Sequence, residues 1–327
     1  MYQKELQVAV EVMRQAAQMT HQIRAERNNS QAVWKPDDSP VTIADFAVQA
    51  LVCHVLKTEL PEYSLVAEED AGHLRLPDMT AVLAAVTGQL LPYVPHADAS
   101  AVCDWIDLGN GLPTERFWVL DPIDGTRGFM RGDQYALALA LIENGQIALG
   151  VLACPALSLQ QNNPPGIICY AVRDSGAFVM TQDSGPAVRL ELAEHIESDR
   201  FCLLESVETD HNDRHRQESV AQALGMILSP LRVDSQAKYA LLAAGMGALY
   251  LRLPPSDSAC RHEKIWDHAA GVLIVEEAGG RVTDMDGQPL DFSVGVDLAA
   301  NRGIVAGVLS AHAEAIRALS VDGKRPA

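Results

Sequence analysis

The run Trp118-Val119-Leu120-Asp121-Pro122-Ile123-Asp124-Gly125-Thr126-Arg127-Gly128-Phe129 sets two carboxylates, a hydroxyl and a glycine turn directly behind an apolar strand. Phe117 to Leu120 fits a short buried strand, Pro122 and Gly125 interrupt the regular pattern, and Asp121 and Asp124 are left at its carboxyl end. Carboxylates so placed are costly without a counter-charge. A divalent cation supplies it most simply, since hard ions such as Mg²⁺ take carboxylate, carbonyl and water oxygens, and paired metals serve phosphoryl chemistry. Read alone, the same run also fits an Asp-Gly turn with a helix cap, so the decision rests on carboxylates elsewhere in the chain.

The chain is long enough to bury such a site. Its 327 residues, 48% of them hydrophobic, suit a globular protein of two domains, with the first closing near residue 190 (1–190 and 191–327). The 43 acidic against 25 basic residues, a net charge of −18, repel nucleic-acid backbones, so no nucleic-acid partner is expected and an anionic substrate needs a locally positive site. Six cysteines (Cys53, Cys103, Cys154, Cys169, Cys202, Cys260) lie far apart with no Cys-x-x-Cys pair. They suggest neither zinc nor a disulfide framework and read as reduced and mostly buried, a redox-sensitive pair being the alternative. No apolar run approaches about 18 residues and the first residues do not resemble a signal peptide, so no membrane association is expected and the cytoplasm is the default compartment.

Helical spacing of Leu6, Val10, Met13, Ala17 and Ile23 predicts a helix over residues 3–27. A loop from Asn28 to Asp38 leads through Ser39-Pro40-Val41-Thr42 to a second helix with Asp45 in its first turn. There Asp45 also suits simple compensation of the helix dipole. Ser64 to Ala67 predicts a strand that ends in Glu68-Glu69-Asp70, which repeats the arrangement at Leu120 and also fits a solvated acidic loop. Residues 77–91 read as helix and 92–116 as a connection. Tyr135 to Ile142 and Ile147 to Ala153, joined by Asn144-Gly145, form a hairpin signal, with further strands at Ile167 to Val172 and Gly176 to Met180. The second half alternates: strands at 201–205, 228–233 and 248–253, helices near 213–225, 236–245 and 265–278, then strands at 281–283 and 304–309 and a final helix to about 320. Asp267 falls at the start of the 265–278 helix, where dipole compensation is again an alternative. The last residues, from Asp322, read as disordered.

Asp45, Glu68, Asp121, Asp124 and Asp267 come from four separated segments. With the Val66-Ala67-Glu68-Glu69 run, Asp121-Pro122-Ile123-Asp124-Gly125-Thr126 and Trp266-Asp267, they resemble the lithium-sensitive, magnesium-dependent phosphatase superfamily of inositol monophosphatase and fructose bisphosphatase. Within it the chain looks most like the 3'(2'),5'-bisphosphate nucleotidases, through Ser39 to Thr42, Gly128 to Tyr135, Asp234 to Tyr239, Tyr250 to Pro254 and Glu263 to Gly271. The resemblance implies an α/β fold, a layered α/β/α/β/α sandwich with an antiparallel sheet in the first domain and a mixed sheet in the second. It also implies Mg²⁺-dependent, Li⁺-sensitive removal of the 3'-phosphate from adenosine 3',5'-bisphosphate, with 3'-phosphoadenylyl sulfate as a further substrate.

Carried over by position, Glu68, Asp121 and the Ile123 carbonyl would hold one Mg²⁺, and Asp121, Asp124 and Asp267 a second, with a third, weaker ion near Glu68 and Asp45. A water on the Glu68 side would be the nucleophile, and Asp45 with Thr126 its base unit. Gly125 and Thr126 would offer backbone N–H groups to the phosphate. Ser235, Lys238, Arg252 and Asp267 would line the nucleotide, together with His211. The histidine segment is one residue longer than the family's spacing, which leaves His215 as the alternative, and Arg127 and Ala67 stand where Lys and Gly are frequent. The partner expected is thus a small nucleotide bisphosphate, with the protein a monomer and a dimer as the alternative. The competing readings are an inositol mono- or bisphosphate phosphatase and a non-catalytic nucleotide or metal sensor.

Overall fold

The computed structural model describes residues 2–26, 33–34, 40–160, 164–183, 185–194, 201–207, 213–255 and 262–322. Ser39, His211, Cys260 and the tail beyond Asp322 lie outside them. The first part comprises α1 (Gln3–Ala25), β1 (Val33–Trp34), β2 (Pro40–Val41), α2 (Ile43–Glu59), β3 (Ser64–Ala67), α3 (Thr80–Leu90), α4 (Ala99–Asp107), β4 (Arg116–Asp124) and α5 (Thr126–Arg131). The meander that follows is β5 (Ala136–Glu143), β6 (Gln146–Cys154), β7 (Ile167–Val172), β8 (Gly176–Thr181) and β9 (Val188–Leu190). The rest is β10 (Leu203–Glu205), α6 (Arg214–Ala223), β11 (Leu231–Arg232), α7 (Ala237–Ala243), β12 (Leu249–Arg252), α8 (Ala269–Glu277), β13 (Arg281–Thr283), β14 (Ile304–Gly307) and α9 (Leu309–Asp322).

Side chains alternate between the faces of a strand, and here both faces are apolar. On β4 and β5, Trp118, Leu120, Leu137, Leu139 and Leu141 pack into one core with α1 to α4. Phe117, Val119, Ala136, Ala138 and Ala140 pack into another with α7 and α8. The small residues on that second face let α8 lie close: a β-carbon added at Gly150 would sit 3.0 Å from the Ala270 carbonyl oxygen. On β12, Tyr250 joins this middle core while Leu249 and Leu251 face α6 and α9. The order of layers is therefore helices, the seven-stranded sheet β3 to β9, helices, the five-stranded sheet β11-β10-β12-β14-β13, and helices.

The seven-stranded sheet is antiparallel apart from one parallel pair, β3 with β4, and the five-stranded sheet is mixed. Three local expectations change. The 92–116 connection contains α4, started by Asp98, whose carboxylate accepts from Ala101 N–H. Strand β4 does not stop at Leu120 but runs on to Asp124. The 265–278 helix is broken at His268 (φ −137°), leaving a single tight turn, Ile265–Asp267, ahead of α8. The five described cysteines are free and buried. Among the described residues no helix is long and apolar enough to cross a membrane.

Candidate functional site

Strand pairing assembles the acids. Ala67 stands opposite Leu120 in the parallel β3–β4 pair, so the next residues, Glu68 and Asp121, emerge at the same edge of the sheet. On an even strand, Asp121 and Asp124, three residues apart, would face opposite sides. Instead Asp121 lies opposite Ala138 and Asp124 opposite Ala136, a one-residue bulge at Pro122-Ile123. Ala136 and Ala138 share the face turned to α7 and α8, so both aspartates face it too. Pro122, which has no N–H to give the ladder, suits that bulge.

Asp45 is buried in the first turn of α2 and completes a capping box with Thr42: Thr42 N–H and Oγ1–H donate to its Oδ2 at 2.8 and 2.6 Å. Its Oδ1 lies 3.3 Å from the Thr126 hydroxyl, which is also 3.1 Å from the Ile123 carbonyl oxygen. Gly125, at φ 84°, makes the turn between β4 and α5 in the left-handed region, where glycine carries no steric penalty. One turn along α2, the buried Gln49 accepts from Glu69 N–H at 3.0 Å and donates to the carbonyl oxygens of Glu69 and Ile106. It thereby fixes the segment that carries Glu68. Gln49 belongs to none of the sequence motifs, although a glutamine among Ala47, Val48 and Ala50 is a visible signal.

These carboxylates do not tolerate one another unaided. Burial, then Glu68, Asp124, Asp267 and Asp45 in turn, push the Asp121 carboxyl well above the usual carboxylate range, and its Oδ1 is buried without a hydrogen-bond partner. Asp267 is likewise pushed up by burial, with Arg252 opposing. An orphaned buried oxygen amid four further acids fits a hard divalent cation. Among the described residues, Glu263, Asp267 and His268 form the one group of three potential donors whose ligand atoms lie within 4.8 Å of one another. A guanidinium already rests against that group.

Arg252 Nη2 is 2.8 Å from Glu263 Oε2 and 3.7 Å from Asp267 Oδ2. Burial alone would raise Glu263, but Arg252 and the hydrogen bond from His268 prevail and hold it at about 2. His268, fully buried, reaches Glu263 through Nε2 at 3.3 Å and Tyr239 through Nδ1 at 2.8 Å. Burial pushes the His268 imidazole down and the Tyr239 phenol up, so a neutral ring donates Nε2–H to Glu263 and accepts the Tyr239 O–H at Nδ1. Glu263 and His268 stand within the Glu263 to Gly271 run, where the sequence alone assigns neither a task.

Lys238 completes the positive side. It is buried, its Nζ donates to the Val233 carbonyl at 3.1 Å and lies 5.3 Å from the Tyr250 ring centre, and burial lowers it to about 8 against the pull of Asp124. Ser235 (φ 68°) packs against Gly125, where an added β-carbon would meet its Cβ at 3.0 Å, and the neighbouring Gln236 N–H donates to Asp124 Oδ2 at 2.6 Å. The turn before α7 is thus joined to the end of β4. His211 lies outside the described residues, and His215 is exposed in the first turn of α6.

The chain matches known proteins along nearly its whole length. A model of the inositol monophosphatase family matches residues 1–323. The chain belongs to that family. A Schizosaccharomyces pombe protein named 3'(2'),5'-bisphosphate nucleotidase is 40% identical over 350 residues, spanning 99% of this chain and 98% of its own. Relatives of the same name from Oryza sativa (40%, 93% of this chain and 90% of theirs) and Emericella nidulans (38%, 97% and 98%) are similar. Among solved structures, an IMPase from Thermotoga maritima superposes with a TM-score of 0.65 at 20% identity over 97% of both chains. An inositol monophosphatase from Anabaena gives 0.60 at 21% over 98% of this chain and 96% of its own. The layered sandwich is thus the fold of the inositol monophosphatase family.

Proposed function

We propose that this family member is a divalent-cation-dependent phosphatase that releases the 3'-phosphate of adenosine 3',5'-bisphosphate, giving AMP, and that acts on 3'-phosphoadenylyl sulfate as well. The observation that carries the chemistry is the unpartnered Asp121 oxygen among Glu68, Asp124, Asp267 and Asp45, beside the Thr126–Asp45 contact. The nucleotide specificity is supported by the curated relatives of that name. The proposed ligands are Glu68, Asp121, the Ile123 carbonyl, Asp124 and Asp267, for two Mg²⁺ with a weaker third, one of these positions being open to Li⁺. Such ions offset the acids, acidify a water and stabilise charge on the phosphoryl oxygens.

Asp45, held by two donors from Thr42, keeps a lone pair for the Thr126 hydroxyl. That hydroxyl orients the attacking water and passes its proton toward Asp45. Backbone N–H groups at Gly125 and Thr126 receive the phosphate. Ser235, Lys238 and Arg252 bind the rest of the nucleotide, with the buried Lys238 and the half-buried Arg252 matched to its second phosphate. The deciding experiment measures phosphate release from adenosine 3',5'-bisphosphate and from inositol 1-phosphate with Mg²⁺, with and without Li⁺. Selective turnover of the nucleotide is expected, and no release from it would end this reading.

A further inference from the structure

A guanidinium between two carboxylates pairs closely with one of them and only loosely with the other unless its fork spans both. Arg252 does not settle on Asp267. Its Nη2 is 3.7 Å from Asp267 Oδ2 but 2.8 Å from Glu263 Oε2, and its Nε is buried with no partner. The residues that set this choice form one line through the middle core: Tyr239 O–H donates to His268 Nδ1, His268 Nε2–H donates to Glu263 Oε2, and Arg252 donates to the same oxygen. Tyr239 and His268 are buried, and Tyr239 is locked between α7 and α8, since a β-carbon at Gly271 would lie 2.1 Å from its ring. The carboxylate at the end of this line is therefore fixed independently of Arg252.

We infer that Glu263 is a positioning residue that holds Arg252 away from Asp267, keeping the acid free for a cation and the guanidinium free for the substrate. Without it, Arg252 has about 1 Å to travel to a full ion pair with Asp267, by the spacing of charge-assisted hydrogen bonds. One event would then weaken two functions: the cation would compete with a guanidinium for Asp267, and the nucleotide would lose a preset guanidinium. The substrate half rests on the nucleotide reading proposed above, and the cation half on Asp267 as one of the cation ligands proposed there.

The test is Glu263→Gln, alone and combined with Arg252→Ala. In the single variant the Kd for Mn²⁺, read by calorimetry on substrate-free protein, is expected to rise about tenfold, the scale for residues behind a metal ligand. KM for adenosine 3',5'-bisphosphate is expected to rise similarly, while kcat at saturating cation changes less than about threefold, the KM-only pattern of lost uniform binding. In the Arg252→Ala background, Glu263→Gln is expected to change neither quantity further. Glu263→Asp keeps the charge but withdraws it by one methylene, so a positional role predicts that both shifts persist in a protein closer to the native fold. Unchanged Mn²⁺ affinity in both single variants, or effects that multiply in the Arg252→Ala background, would overturn the inference. A wild-type protein that binds Mn²⁺ but ignores the nucleotide would refute the proposed function and leave the Mn²⁺ measurement standing.

Discussion

Thr126 Oγ1 lies 3.3 Å from Asp45 Oδ1, so a single hydroxyl joins the first turn of α2 to the turn that ends β4. Asp45 is buried and receives two hydrogen bonds from Thr42 on its other oxygen, and in the proposed mechanism Oδ1 is the atom that takes the proton.

Asp45→Asn keeps the shape and removes the charge, and Thr126→Val keeps the volume and removes the hydroxyl. Each is expected to lower kcat by about 10²-fold or more, the usual share of general acid–base catalysis, while Thr126→Ser retains most of it. Steady-state phosphate release decides this. A Thr126→Val protein with kcat within threefold of the parent would take the hydroxyl out of the mechanism.

The acid cluster predicts how stability responds to pH and cation together. Burial and the neighbouring Glu68 raise Asp121 in the fold above its unfolded value near 3.8, so its contribution is present below that value and is lost as pH rises through the folded pKa. A divalent cation held by the ionised form, as proposed for Mg²⁺, would reverse this. The Mg²⁺-induced rise in Tm is accordingly expected to be larger at pH 8 than at pH 5. Asp121→Asn is expected to raise the Tm of cation-free protein at pH 8 by a few degrees while abolishing turnover. A Mg²⁺ increment that shrinks with pH would contradict this account.

How much of this was legible in the sequence depends on whether a signal is local. The apolar runs of β4, β5 and β6 and the capping residues of α2 announce themselves within a few positions, so the core strands and Asp45's place in a first turn were readable. The bulge at Pro122-Ile123 was not, because a strand broken at Pro122 and a strand carried past it give the same string of residues. Only the pairing of Asp124 with Ala136 distinguishes them. Parallel pairing of β3 with β4 was equally hidden, since register joins segments about 50 residues apart, yet it is what brings Glu68 beside Asp121. The α4 helix is masked in the sequence because Asp107-Leu108-Gly109-Asn110 and flanking prolines dominate that stretch, although Asp98 before Val102, Cys103 and Ile106 is a cap and an apolar face. Glu263 and His268 stand in plain view, but their tasks exist only through Tyr239 and Arg252 on other elements.

Away from the site, His312 gives an acid limit to stability. It is buried on α9 with Nε2 2.9 Å from Thr283 Oγ1, and burial with nearby Arg281 lowers it from 6.5 to about 4. A base whose folded pKa is depressed contributes stability that is full above 6.5 and is lost as pH falls toward 4. The loss is on the order of 2 kcal/mol once partial solvent access is allowed for. His312→Gln is expected to flatten the urea-midpoint profile between pH 6.5 and 4, and an unaltered slope would place the acid sensitivity elsewhere.

Gly271 is where the packing between α7 and α8 is tightest. An added β-carbon would lie 2.1 Å from Tyr239 Cδ2, and the ring cannot swing aside without breaking the hydrogen bond between its hydroxyl and His268. Gly271→Ala must therefore push α7 away from α8, and α7 carries Lys238 and begins two residues after Ser235. Overpacking of this kind costs about 3 kcal/mol. Gly88, near the end of α3 with nothing within 4 Å of its added β-carbon, is the control with the opposite sign. There Gly88→Ala should stabilise by about 0.5–1 kcal/mol, through helix propensity alone. Denaturant unfolding of the two variants, with KM for the nucleotide measured alongside, separates the outcomes: Gly271→Ala lowers stability and raises KM, while Gly88→Ala raises stability and leaves KM as it was. A Gly271→Ala protein as stable as the parent would mean that the two helices can part at little cost, and that the line from Tyr239 to Arg252 is not held by their contact.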